Sequence, residues 1–218
     1  MRRELLYITT IAVGLFVSAE YAQWPVDIWC IGTFLYLYVT TDRKERIEML
    51  AVLAFATPME LFFSEVWLIY EYQRGLMPLF VPVGHYFLFD LGRRVAKKIP
   101  YSSPIYLILA LLPFVLYGAV KGTDTSAVLL LILTLGFIRW GPEPRLYAAM
   151  VWLALAMELW GTYLGNWTWA SSVPFTGLTA WNPPLLVGAF YCFGDLLVNL
   201  SVAKFEGQPM AEVNHDVL

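Results

Sequence analysis

Four acidic residues sit in apolar surroundings: Glu60 in FATPMELFF, Glu158 in LALAMELWG, Asp90 in FLFDLG and Asp195 in FYCFGDLLVN. An ionisable group inside a hydrocarbon-rich span costs at least a few kcal/mol, so such residues usually face a bundle interior or a polar cavity. Away from water the ionised form of a carboxylate is disfavoured, which leaves a neutral acid able to donate a proton. The bland reading of any one of them is a side chain hydrogen-bonded to a neighbouring helix, worth roughly 1 kcal/mol. Four in matched positions point instead to proton chemistry, with Glu60, Asp195, Glu158 and Asp90 as the candidate catalytic groups.

The matching is positional. Glu60 follows Arg46 by 14 residues and Glu158 follows Arg145 by 13, while Asp90 comes after Pro82 and Gly84 and Asp195 after Pro184 and Gly188. At 1.5 Å per residue Glu60 is expected roughly 21 Å along a helix from Arg46, with Glu158 at similar depth. Asp90 and Asp195, on helices running the other way, are expected near mid-membrane, so that all four carboxylates converge. His85 is the histidine that falls in an apolar segment, near the expected outer mouth, where it can hydrogen-bond or relay protons; His215 belongs to a polar tail. The Glu-x-x-His pairs of carboxylate-bridged metal bundles are absent, so no metal is expected. There is no phosphate-binding glycine loop, Gly-x-Ser-x-Gly, HExxH or CxxC. Cys30 and Cys192 lie in apolar runs and read as small hydrophobes.

The elements that must position these groups are membrane helices. The chain has 218 residues, 59% hydrophobic and 14% charged, with a mean hydropathy of +0.63, outside the range of ordinary soluble domains. Nothing in it suggests a nucleic-acid partner. Apolar runs at 5–22, 26–41, 47–69, 104–120, 126–140, 146–165 and 183–203 approach the roughly 20 residues needed to cross a bilayer. The first reads as a retained helix rather than a cleaved signal, because Gln23, Trp24 and Pro25 follow it where small residues would be needed. An eighth run, 79–96, is weaker because it contains His85 and Asp90 and ends in basic residues. If it crosses, the loops holding Arg2, Arg3, Arg43, Lys44, Arg46, Arg93, Arg94, Lys97, Lys98, Arg139, Arg145 and Lys204 share one side, against Arg74 and Lys121. That bias favours eight spans with both termini cytoplasmic. The expected fold is an all-α, polytopic single membrane domain with a 4+4 parallel repeat: residues 1–100, residues 101–206, and a polar cytoplasmic tail at 207–218. Two outward loops, 70–82 and 165–184, are dense in Trp, Tyr, Phe and Pro and suggest a lid over an outward-opening pocket.

The stretch TTDRKERIEMLAVLAFATPMELFF (40–63) resembles the second loop and third helix of small integral-membrane terpene cyclases of fungal meroterpenoid and indole-diterpene type and their bacterial relatives. That family carries an essential Glu at the end of this helix and an essential Asp in the last helix; Glu60 and Asp195 match those positions, with Met59 where the family has Trp. A looser likeness joins Glu158, Gly161, Gly165 and Trp167 to the Glu-x-x-Gly-x-x-x-Gly-x-aromatic pattern of membrane carotenoid hydratases. Both resemblances imply chemistry without a cofactor on a lipophilic isoprenoid. A neutral acid protonates an epoxide or alkene, the chain closes through carbocations, and a second carboxylate removes the last proton. Glu60 is the expected donor and Asp195 its partner. Trp67, Tyr70, Tyr72, Trp160, Trp167, Trp169 and Tyr191 are expected to line the cavity and steady cations, with His85 and Asn182 completing the substrate-binding set. The same repeat and acids also fit a proton-coupled carrier or a lipid-binding membrane subunit, and a scaffold subunit would tolerate loss of the acids.

Overall fold

The computed structural model describes residues 3–206; the tail with His215, and Arg2, lie outside the described residues. The described residues are mainly helical, with one short two-stranded ribbon among them. Asp42 caps the first turn of α3 (Arg43–Leu61) by accepting the Glu45 backbone N–H at 2.9 Å. Prolines sit in the first turn of α2 (Trp24–Thr40), α5 (Pro104–Leu109), α6 (Leu112–Lys121) and α8 (Pro144–Tyr163), where a missing N–H breaks no helical bond. The remaining helices are α1 (Arg3–Glu20), α4 (Phe80–Ala96), α7 (Ser126–Trp140) and α9 (Gly188–Glu206). Every apolar run expected to be a span contains a helix, with α5 and α6 sharing one run. Two stretches, Arg43–Val66 and Pro104–Lys121, are helices long and apolar enough to cross a membrane.

Four helices form the centre: α3 packs on α4 and α9, and α8 packs on α4 and α9. The run with the weakest apolar signal, α4, is among the most enclosed, burying Phe80, Val83, Tyr86, Phe87, Leu88, Phe89 and Leu91. Its polar residues lower its hydropathy because they face neighbouring helices rather than the outside. Around this centre the outward faces of α1, α2, α6 and α7 are apolar, with Leu5, Ile8, Val13, Ile28, Leu35, Leu116, Val120 and Ile132 exposed.

The ribbon joins the two halves. Strand β1 (Tyr70–Tyr72) pairs antiparallel with β2 (Trp167–Trp169) in the register Tyr70↔Trp169, Glu71↔Thr168 and Tyr72↔Trp167. Each strand follows a long helix of its own half, α3 before β1 and α8 before β2. The half-to-half correspondence extends to two aspartates: Asp27 accepts the Phe80 N–H at 2.8 Å where α4 begins, and Asp124 accepts the Leu185 N–H at 3.0 Å just ahead of α9.

One span begins later than its sequence suggests. Residues 183–187 form no helix, and α9 starts at Gly188, beside Val151 of α8. Val151 lies seven residues before Glu158, so α9 starts about 10 Å below the level of Glu158.

Candidate active site

The end of α3 is shaped to present Glu60. Pro58 removes one N–H from the ladder, and the helix then widens into a π turn at Phe62–Val66. Ser64 donates its hydroxyl to the Glu60 carbonyl at 2.9 Å, satisfying a group the distorted turn leaves open. The Glu60 carboxylate meets three partners. Tyr70 and Tyr72, both from β1, each donate a phenol hydroxyl to Oε2 at 2.5 Å. His85 of α4 places Nε2 3.1 Å from Oε1. Burial, then the neighbouring Glu60 charge, push both phenols of β1 well above their ordinary range, so they stay O–H donors.

Glu158 of α8 is the counterpart. Trp167 and Trp169, from β2, donate their indole N–H groups to its Oε2 at 2.7 and 2.9 Å. Each acid is therefore held on one oxygen by the two inward-facing rings of the strand that follows its own helix. Alternation along a strand is what aims both rings inward, with Glu71 and Thr168 pointing out. The pairs interlock: Tyr70 and Trp169 rings are 4.7 Å apart and Tyr72 and Trp167 rings 6.3 Å. Gly161 leaves the room that Trp167 needs, since a Cβ there would lie 2.2 Å from the indole.

Below this roof lies a cavity of about 130 Å³, several times the minimum of roughly 10–15 Å³ that one water requires. Glu60, Glu158, His85, Tyr70, Tyr72, Trp167, Trp169 and Tyr191 all line it, with an otherwise apolar wall that includes Phe63, Phe89, Met157 and Phe190. The Tyr191 ring stacks on His85 at 5.4 Å and 12°.

The expected meeting of four carboxylates does not occur. Asp90 and Asp195 are not among the cavity residues. Asp90 accepts from Tyr7 at 2.8 Å and Arg94 at 3.1 Å, and Arg3 lies 3.8 Å away. Asp195, fully buried, accepts from Asn199 at 2.9 Å and lies 3.5 Å from Arg93, which also bonds Glu48 at 2.6 Å. Arg3 bridges on to Glu45, which accepts from Tyr86 and Thr41 as well. The reason is helix face. On α9, Phe190, Tyr191, Gly194, Leu197 and Val198 line the cavity, whereas Cys192 meets Tyr147 of α8 and Asp195 turns to Arg93 and Asn199 at the arginine-rich end. Asp90, five residues beyond His85 on α4, is about 7 Å further from the ribbon.

Three expected lining residues are also outside the cavity. Trp67 donates to the Pro174 carbonyl at 3.0 Å, and Trp160 to the Ala12 carbonyl at 3.0 Å. Asn182 accepts the Trp169 backbone N–H at 2.9 Å, steadying β2. Trp160 and Asn182 border a separate shallow groove. Asn166, which begins a glycosylation-like triplet, is buried and donates to the Leu15 carbonyl at 3.0 Å. Sequence reasoning missed the Asp27 and Asp124 clamps, whose matched positions ahead of each half's ribbon were the available signal. It missed Ser64 as well, which no pattern marked. Among the described residues, no three His, Cys, Asp or Glu side chains form a metal-binding group. No known family, curated protein or solved structure matches this chain.

Proposed function

We propose that this chain is a multi-pass membrane enzyme that cyclises an isoprenoid by acid catalysis without a cofactor. It has eight spans as two four-helix repeats and both ends on the cytoplasmic side. One observation carries the reading: two carboxylates, each gripped on one oxygen by a pair of aromatic donors, border a single apolar cavity roofed by a ribbon. Protonating an alkene or epoxide needs an acid in a dry chamber, and removing the final proton needs a base nearby. Here both come from Glu60 and Glu158, so Glu158 takes the place beside Glu60 expected of Asp195. Aromatic faces attract cations, and Tyr70, Trp169 and Tyr191 offer them beside the acids. The apolar outer faces fit lipid, and the arginine-rich end fits the cytoplasmic side.

The test incubates membranes containing the protein with plain and epoxidised prenyl substrates and analyses the extracts by mass spectrometry. Cyclisation gives an isomer of unchanged mass, lost in Glu158→Gln; a gain of water marks a hydratase instead. A second reading, a proton-coupled carrier, draws on the matched settings of the two acids beside one cavity. It wins if every isoprenoid returns untouched while Glu60→Gln abolishes proton-driven uptake into vesicles.

A further inference from the structure

The two acids differ in what holds them, and we infer a division of labour: Glu158 gives the proton, and the Glu60–His85 pair takes it back. This inference rests on the cyclase reading and adds His85 to its machinery.

An indole nitrogen only donates. With Trp167 and Trp169 both bonded to Oε2 of Glu158 at 2.7 and 2.9 Å, a proton on this acid sits on Oε1. Among the described residues Oε1 has no hydrogen-bond partner, and Glu158 borders the cavity. A bare charge on Oε1 would face an apolar wall, a costly arrangement that an O–H avoids. Glu158 is thus built to be neutral with its hydrogen free for a substrate.

Glu60 is built the opposite way. Two phenols donate to Oε2 at 2.5 Å, a setting that suits an anion. The tautomer of its third partner follows from geometry. His85 Nδ1 lies 2.9 Å from the Val81 carbonyl oxygen, which only accepts, so Nδ1 carries the hydrogen. In the neutral ring Nε2 has only a lone pair, so its 3.1 Å contact with Glu60 Oε1 holds one proton between the two, and the structure shows the pair in the state it reaches after taking a proton. A proton reaching Oε1 passes to Nε2 and leaves a carboxylate beside an imidazolium, with every donor and acceptor used.

The steps balance. The Oε1–H bond of Glu158 breaks as an alkene's π pair forms a C–H bond, leaving a carboxylate and a carbocation. A second alkene's π pair closes the C–C bond of the ring and moves the charge. A C–H bond beside the new cation then breaks, its pair becomes a C=C bond, and the proton goes to Glu60 and His85. Water in the emptied cavity takes the proton from the Glu60–His85 pair and returns one to Glu158, so the enzyme is restored and the product is an isomer.

Turnover in D2O separates the roles, using the isoprenoid that the wild type converts. The wild-type product carries solvent deuterium. With Glu158→Gln, the recovered substrate carries none and no product forms. With His85→Gln, deuterium enters the recovered substrate while product falls on the order of 100-fold. The reverse pattern overturns the assignment. If the wild type converts nothing, the cyclase reading fails by itself, and infrared difference spectroscopy on H/D exchange reads the proton's location directly. A carboxylic-acid C=O band lost in Glu158→Gln and kept in Glu60→Gln supports the inference; loss in Glu60→Gln instead refutes it. Should Glu158→Gln not fold, Trp169→Phe removes one donor and keeps the ring, and the band must then shift; a band that stays put refutes the assignment.

Discussion

At the scale of residues, each carboxylate has a chemical character set by its donors rather than by its own type. Phenols and indoles both bury large rings and both donate, but the hydroxyl of Tyr70 or Tyr72 can also reorient or accept, whereas the N–H of Trp167 or Trp169 is fixed in direction. Removing a hydroxyl while keeping the ring tests whether the donors act on the chemistry or only form a wall. A hydrogen bond to a charged group is worth about 1.5–3 kcal/mol, and each 1.4 kcal/mol is a factor of about ten in rate. Tyr70→Phe and Tyr72→Phe are each expected to lower kcat by roughly 10-fold or more with KM little changed, measured on the converted isoprenoid. A raised KM at constant kcat would reduce both tyrosines to cavity wall.

At the scale of elements, the positions of two turns decide which acids meet. The helices were legible in the sequence because apolar runs of near-spanning length, bounded by proline and charge, leave few alternatives. Even α4, weakened by His85 and Asp90, formed where its run lay. Glu60 and Glu158 were legible as a pair because each ends an apolar run at matched distance from an arginine. What was not legible is depth. Pro184 looks like a helix start, but α9 begins only at Gly188, and Asp195 falls off the face of α9 on which Phe190, Tyr191, Gly194, Leu197 and Val198 line the cavity. The pairing of YEY with WTW was hidden too, since three-residue strands carry almost no periodic signal. The close approach that fixes the depth of α9 is itself testable. A Cβ at Gly188 would lie 2.4 Å from Val151 Cα, a backbone atom that cannot step aside. Gly188→Ala is therefore expected to destabilise the protein by about 1–3 kcal/mol, lowering the unfolding midpoint in detergent. Gly32→Ala, on an exposed face of α2 with open space around it, is expected to leave stability unchanged or raise it by up to about 1 kcal/mol.

At the scale of the whole molecule, the bundle is tied at both ends and hollow between. Aromatic rings and the ribbon bind the halves at one end. At the other, Arg3, Arg93 and Arg94 knit α1, α3, α4 and α9 through Glu45, Glu48, Asp90 and Asp195. The division ties the frame around the cavity at both ends and keeps the arginines away from the acids; on the proposed reading a nearby guanidinium would suppress their proton chemistry by holding the carboxylates ionised. Under that reading Asp195 serves to hold this end together, in contrast to the essential Asp that the resemblance implies in the last helix. Removing one partner of a buried ion pair costs about 3–5 kcal/mol when the other charge is left alone, and less here because Arg93 keeps Glu48 at 2.6 Å. Asp195→Asn keeps the shape and the contact with Asn199 but strands Arg93 with Glu48 alone. The expected result is a lower unfolding temperature in detergent, with the turnover of the folded fraction within about threefold of wild type, whereas Glu158→Gln abolishes turnover in protein that unfolds near the wild-type temperature. A loss of turnover in Asp195→Asn equal to that in Glu158→Gln, with thermal stability intact, would return Asp195 to the chemistry and require the far end of the bundle to reach the substrate.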